Sequence, residues 1–234
     1  MSYRQRLKSV LKSVLLPSGP RVRTLPLGVA RGIRMQIDFA HQTTMYVGLY
    51  EVELNRHLRR ACRPHYNCFD VGGDIGYDAL VMAKLTGGRV ISFECVPEAC
   101  AQMQANLLAN PQHGPRVEIR QTFVSAAADS SRGHSTLDAA AFSSEGFVPD
   151  FMKIDIEGCE YDALKGARRI LETRRPSLIV ETHSWRLEEE CASYLRGFGY
   201  EPVVVENRWW LRDHRPAERN SWLVAEGGAR RQGA

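Results

Sequence analysis

The sequence predicts an α/β fold: a mostly parallel seven-stranded sheet with helices on both faces, under an N-terminal helical and β cover. Two observations predict it. Short apolar runs alternate with helical stretches five times between Cys68 and Phe198, and two further β-like runs follow, Pro202–Val205 and Trp222–Ala225. Strands alternating with helices pack as a parallel sheet covered on both sides, because each return to the same sheet edge needs a crossover.

Composition bounds the classes of function. The chain has 234 residues, 44% hydrophobic and 25% charged, as expected of one ordinary globular unit with a sizeable core. Its formal charge of +4 is too mild for a nucleic-acid surface, which needs a dense basic face. Cys62, Cys68, Cys95, Cys100, Cys159 and Cys191 form no C-x-x-C pair, so no zinc knuckle is expected, and several lie in apolar runs as buried thiols do. No run approaches the roughly 20 apolar residues of a membrane span, and Val14-Leu15-Leu16 is too short for a signal-peptide core. The expected setting is a reducing, cytoplasmic one.

Taken in order, residues 3–16 place Leu7, Val10, Leu11, Val14 and Leu15 on one helical face with Arg4, Arg6, Lys8 and Lys12 elsewhere. Such a helix either packs on its own domain or lies on a membrane surface. Pro17-Ser18-Gly19-Pro20 ends it, residues 21–39 read as a small hairpin, and 47–61 read as a helix. The strand readings are Phe69–Val71, Arg89–Phe93, Val117–Val124, Phe151–Ile156 and Ser177–Val180. The helices are Tyr77–Leu85, Glu98–Asn110, a short one opened by Thr136-Leu137-Asp138, Tyr161–Glu172 and Leu187–Phe198. Pro202–Val205 and Trp222–Ala225 read as an antiparallel edge hairpin. The expected division is a cover over 1–45, a catalytic domain over 46–226 and a flexible tail over 227–234.

The cofactor signal is FDVGGDIG, residues 69–76. A dinucleotide turn wants G-x-G-x-x-G, and Val71 stands where its first glycine belongs. No lysine follows, as a phosphate-binding P-loop would require. What remains, Asp70 followed by Gly72, Gly73 and Gly76, is the turn of an S-adenosylmethionine (SAM) site, whose ligand carries an ammonium and a sulfonium. Glu94 ends the next strand, where a carboxylate can accept from both ribose hydroxyls. Asp155 and Glu157 end a later strand and His183 the one after. Ligands of such sheets sit at these carboxyl ends, so all three are candidate catalytic residues. Acids gathered in one crevice call for a cation, which the cofactor partly supplies and Lys153 can balance, with no motif specific for a metal.

In order, FDVGGDIG, ISFECVPE, TLD, DFMKIDIEGCEYDALKGA and RPSLIVETH resemble the FkbM-type SAM-dependent methyltransferases, over roughly residues 46–200. GLYEVEL before the first strand, with Tyr50 and Glu51, resembles the family's approach segment. The resemblance implies the class I methyltransferase (Rossmann-like) fold and methyl transfer to a hydroxyl, often on a sugar or secondary metabolite. It implies Asp70, Gly72, Gly73, Gly76 and Glu94 at the cofactor, Asp155, Glu157 and His183 at the reacting groups, and Tyr50 and Glu51 toward the substrate. Gly73-Asp74 replaces the family's usual Ala-Asn, and Cys95 follows Glu94 in place of proline. Methylation of an amine or a protein side chain, and SAM binding without catalysis, are the rival readings. The expected partner is a small-molecule or glycan acceptor, with no nucleic acid and with membrane contact open to residues 3–16.

Overall fold

The computed structural model describes residues 19–143, 146–208 and 219–228. The N-terminal helix expected over 3–16, the Trp209-Trp210 pair and the last six residues of the tail lie outside them.

The hairpin expected in residues 21–39 is an antiparallel pair, β1 (Arg21–Thr24) and β2 (Arg34–Ile37). The helix expected over 47–61 is shorter. A single turn, α1 (Thr43–Tyr46), precedes it, a 3-10 turn spans Val52–Leu54, and α2 runs Asn55–Ala61. The chain cannot stay helical between them. Gly48 has φ 69°, and a Cβ there would lie 2.9 Å from the backbone of Leu27. Glu51 also takes a left-handed conformation, φ 43°. Leu25, Ile33, Met35, Ile37 and Leu54 are fully buried in one core cluster with α3 (Tyr77–Thr86), so this cover is packed onto the sheet.

The main sheet comprises β3 (Cys68–Val71), β4 (Val90–Glu94), β5 (Val117–Gln121), β8 (Phe151–Ile154), β9 (Ser177–Thr182), β10 (Val203–Glu206) and β11 (Ser221–Ala225). Its order is β10-β11-β9-β8-β3-β4-β5. The strands from β9 to β5 are parallel, and β11 is antiparallel to both β9 and β10. The last two strands therefore pair as expected, with β11 inserted between β9 and the edge strand β10. The order reverses between β3 and β8, and a ligand crevice opens at the carboxyl ends of the strands at such a point.

Two elements break where the sequence suggested continuity. The strand expected over Val117–Val124 leaves the sheet after Gln121. Thr122 donates its N–H to the carbonyl of Glu94, and β6 (Phe123–Val124) pairs with β7 (His134–Ser135) in a separate ribbon. The helix expected over Tyr161–Glu172 divides into α6 (Glu160–Lys165) and α7 (Arg168–Thr173). At the break, a Cβ on Gly166 would lie 2.3 Å from the Ser125 carbonyl oxygen. The remaining helices are α4 (Pro97–Leu108), α5 (Leu137–Ala141) and α8 (Trp185–Gly197). Among the described residues no helix is long and apolar enough to cross a membrane.

Candidate active site

The period of two along a strand builds the site. Cys68, Val90, Phe151 and Ile179 belong to the core beneath the cover, so Asp70, Ser92, Lys153 and Glu181, two residues on, share their face at the carboxyl ends. Asp70 is in register with Ser92 on one side and Lys153 on the other. Apolar side chains thus give way to polar ones where the sheet meets a cleft of about 1120 Å³. The cleft is floored by Gly72–Ile75 and roofed by the cover from Ala40 to Met45 and at Tyr50 and Glu51.

The turn is shaped by close approach. Gly72 has φ 88°, and a Cβ on it would meet the carbonyl oxygen of Asp155 at 1.7 Å. One on Gly73 would meet Ser92 Oγ at 2.0 Å, and one on Gly76, φ 85°, would meet Met103 Cγ at 2.6 Å. Asp74, φ 42°, donates its N–H to Glu94 Oε2, and Val96 donates to Glu94 Oε1. Each Glu94 oxygen so fixed keeps acceptor capacity toward the cleft that it lines, the geometry a ribose diol needs.

Asp70 is placed differently from its sequence reading. It is 2% exposed, does not line the cleft, and accepts from Ser92 Oγ at 2.8 Å. Burial first, and the Asp78 charge next, raise its carboxyl to about 7. It supports the turn from beneath instead of facing the ligand's ammonium.

Across the turn from Glu94 lies an ionic cluster. Lys153 Nζ sits 2.7 Å from Asp78 Oδ2, 3.1 Å from Glu51 Oε2 and 3.7 Å from Asp155 Oδ2. Burial opposes the Lys153 charge, but Asp78, Glu51 and Asp155 together hold the ammonium well above the ordinary lysine range. Tyr50, half-buried beside Glu51 and packed edge-on against Tyr77, is raised well above its ordinary value by burial and so stays neutral. Asp155 and the exposed Glu157, φ 53°, both line the cleft.

His183 is not in the cleft wall. Its Nε2 is 3.4 Å from both Asp155 Oδ1 and Glu160 Oε1, and these contacts, Asp155 first, raise it from 6.5 to about 10. It is an imidazolium at neutral pH and so is not poised to take a proton from an acceptor, as a catalytic histidine at the reacting groups would be. Asp155, Glu181 and His183 bring one ligand atom each within 4.8 Å of one another, a spacing that would suit a cation, and the imidazolium supplies that charge.

Sequence reasoning missed Asp78, Ser92, Glu160, Arg208 and Trp222. Glu160 accepts from the N–H groups of Ile156 and Gly158 and so closes the loop that carries Asp155 and Glu157. Trp222 donates Nε1–H to Glu181 Oε2, its register partner. Arg208 grips Glu53 through two oxygens, at 2.9 and 2.7 Å. A strand-end period extended by two residues would have found Ser92. The others depend on contacts between distant segments.

A glycine turn after β3, an acid at the end of β4 and a charged floor at the end of β8 lie on a class I methyltransferase-like fold. Residues 133–202, which carry TLD, KIDIEG and ETH, match the methyltransferase FkbM domain. Among solved structures, an FkbM methyltransferase from Methylobacillus flagellatus matches at TM-score 0.55 and 19% identity, covering 81% of this chain and 55% of that one. This chain thus spans about half the length of that protein. A SAM-dependent O-methyltransferase from Thermotoga maritima matches at TM-score 0.54 and 15% identity, over 77% of this chain and 67% of that one. Fibrillarin from Aeropyrum pernix, crystallised with natively bound SAM, matches at TM-score 0.50 and 14% identity, over 70% and 68%. These identities speak for the fold alone. No curated protein sequence matches.

Proposed function

We propose that this protein transfers the methyl group of SAM to a hydroxyl of a small molecule or glycan, such as a sugar, a glycolipid or a secondary metabolite. The observation that carries this reading is the division of the cleft. Glu94 stands at one end with acceptor capacity suited to ribose, and Asp155 stands at the other, flanked by Lys153 and His183. With its ribose held by Glu94, SAM would supply an electrophilic methyl group to the cleft that Asp155 also lines. The acceptor oxygen attacks the methyl carbon in line. The O–C bond would form as the C–S bond breaks, the C–S electron pair leaving on sulfur as a neutral thioether and the hydroxyl proton passing through the Asp155 carboxylate to solvent. Most of the acceleration comes from holding the two reactants in that line. Asp155, beside Lys153 and His183, accepts the hydroxyl hydrogen bond and orients the oxygen. His183, already protonated, acts through Asp155, and Glu157 sits at the rim where an acceptor enters.

The surplus of carboxylates at this end also favours an amine acceptor. Transfer of labelled methyl from SAM across matched hydroxyl and amine compounds decides between the two. The cofactor half of the reading is tested separately. Glu94→Ala is expected to weaken SAM binding in calorimetry by at least about tenfold, the loss of one charge-assisted contact. Unchanged affinity removes Glu94 from the site.

A further inference from the structure

Glu51 is the least explained group in the cleft. Its side chain is 4% exposed and lines the cavity. One oxygen, Oε2, faces Lys153, while Oε1 is buried without a hydrogen-bond partner among the described residues. An unsatisfied buried carboxylate oxygen is costly, and the backbone that delivers it is itself strained, since a left-handed conformation costs a residue with a Cβ about 1 kcal/mol. Asp78 Oδ1 is likewise buried and unpartnered in the same wall. The groups facing Glu51 are Lys153 of β8, Asp155 just beyond it, Asp78 and neutral Tyr77 of α3, and neutral Tyr50 beside it. Lys153 is therefore the ammonium shared by Glu51 and Asp78, while Asp155 is also met by the His183 imidazolium. Arg208, the one lysine or arginine among the described residues that line the cleft, is engaged by Glu53.

We propose that Glu51, seconded by Asp78, receives the sulfonium charge of SAM, so that the cleft binds the charged donor in preference to its neutral thioether product. This rests on the SAM reading above. It deepens it by giving the cover a function: the strained Glu51 turn places a carboxylate where the cofactor changes charge during the reaction. Methyl transfer removes that charge, and the product loses the contact that held the donor. Burial, opposed in part by Lys153, raises the Glu51 carboxyl to about 7 when no cofactor is bound. The empty site therefore holds a proton part of the time, and the sulfonium displaces it to solvent.

The experiment is calorimetric titration of the full chain with SAM and with S-adenosylhomocysteine, for wild type and Glu51→Gln. Above pH 8 wild type is expected to bind SAM at least about tenfold more tightly than the thioether, one full decade of differential interaction. In Glu51→Gln that preference is expected to shrink to about threefold or less, with thioether affinity changed by no more than about twofold. A second measurement needs no variant and so survives any folding defect. Titrations of wild type at pH 7 in buffers of different ionisation enthalpy are expected to show net proton release with SAM and none with the thioether. Equal affinities for the two ligands, equal weakening of both by Glu51→Gln, or equal proton release overturns the inference and leaves the SAM site standing. A wild type that binds neither ligand overturns both.

Discussion

At the scale of single residues, the site is governed by where charge is buried. His183 sits between two carboxylates, and its raised value of about 10 makes it a structural cation over the physiological range. The sign follows from linkage. The folded protein binds the His183 proton more tightly than the unfolded chain does, so the stabilisation is complete below about pH 6.5 and is lost as pH rises toward 10. His183→Gln is therefore expected to destabilise the protein near pH 6, where the ion pairs with Asp155 and Glu160 are complete, and to cost close to nothing near pH 10. Thermal denaturation across that range checks it, and a penalty independent of pH removes the imidazolium from the account. The contrast with the sequence reading is physical. The histidine at the end of β9 was legible, but its partners were not, because Glu160 enters the cluster from the head of α6. Asp70 gives the same lesson. An acid before a glycine turn was visible, but its burial beneath the turn depends on Ser92 of the neighbouring strand. Where the family's usual alanine stands, this chain has Gly73, and a Cβ there would strike that serine. Asp74 in place of asparagine keeps a residue type that tolerates the left-handed backbone found there.

At the scale of elements, several motif residues turn out to join segments. In the TLD stretch, Thr136 Oγ1 accepts from Ala139 N–H and starts α5, Leu137 is fully buried, and Asp138 accepts from the N–H groups of Arg169 and Ile170. Asp138 thus caps α7 from outside, 31 residues away. Its own N–H donates to the Gly166 carbonyl at the break between α6 and α7. Asp138→Ala is expected to cost about 1–2 kcal/mol in chemical denaturation, the value of a helix cap, and to leave SAM affinity unchanged because α7 does not reach the cleft. A loss of SAM affinity without a loss of stability excludes the capping role. The strand–helix alternation was legible because periodicity is local. The breaks at Gly48, Gly166 and Gln121 were not, since each is imposed by a distant backbone that leaves no room or offers a better partner.

At the scale of the whole molecule, the cleft depends on a cover and a sheet edge that lie far apart in sequence. Arg208, just past β10, binds Glu53 of the cover through both carboxylate oxygens and donates to the Leu49 carbonyl. Both side chains of the pair are 12% exposed. The pair straps the segment bearing Tyr50 and Glu51 to the far side of the sheet. No local pattern announces it, because the partners are 155 residues apart and meet only once β11 has inserted between β9 and β10. Removing one member of a buried pair leaves the other charge uncompensated, which costs more than removing both. Arg208→Met is therefore expected to lose about 3–5 kcal/mol of stability, while Arg208→Met with Glu53→Gln recovers a substantial part of it. If the strap also holds the Glu51 turn in place, Arg208→Met weakens SAM binding in calorimetry, and the double variant restores it only so far as the cover closes again. Additive losses in the denaturation cycle would show that Arg208 and Glu53 act independently and that the cover is held by its apolar contacts alone.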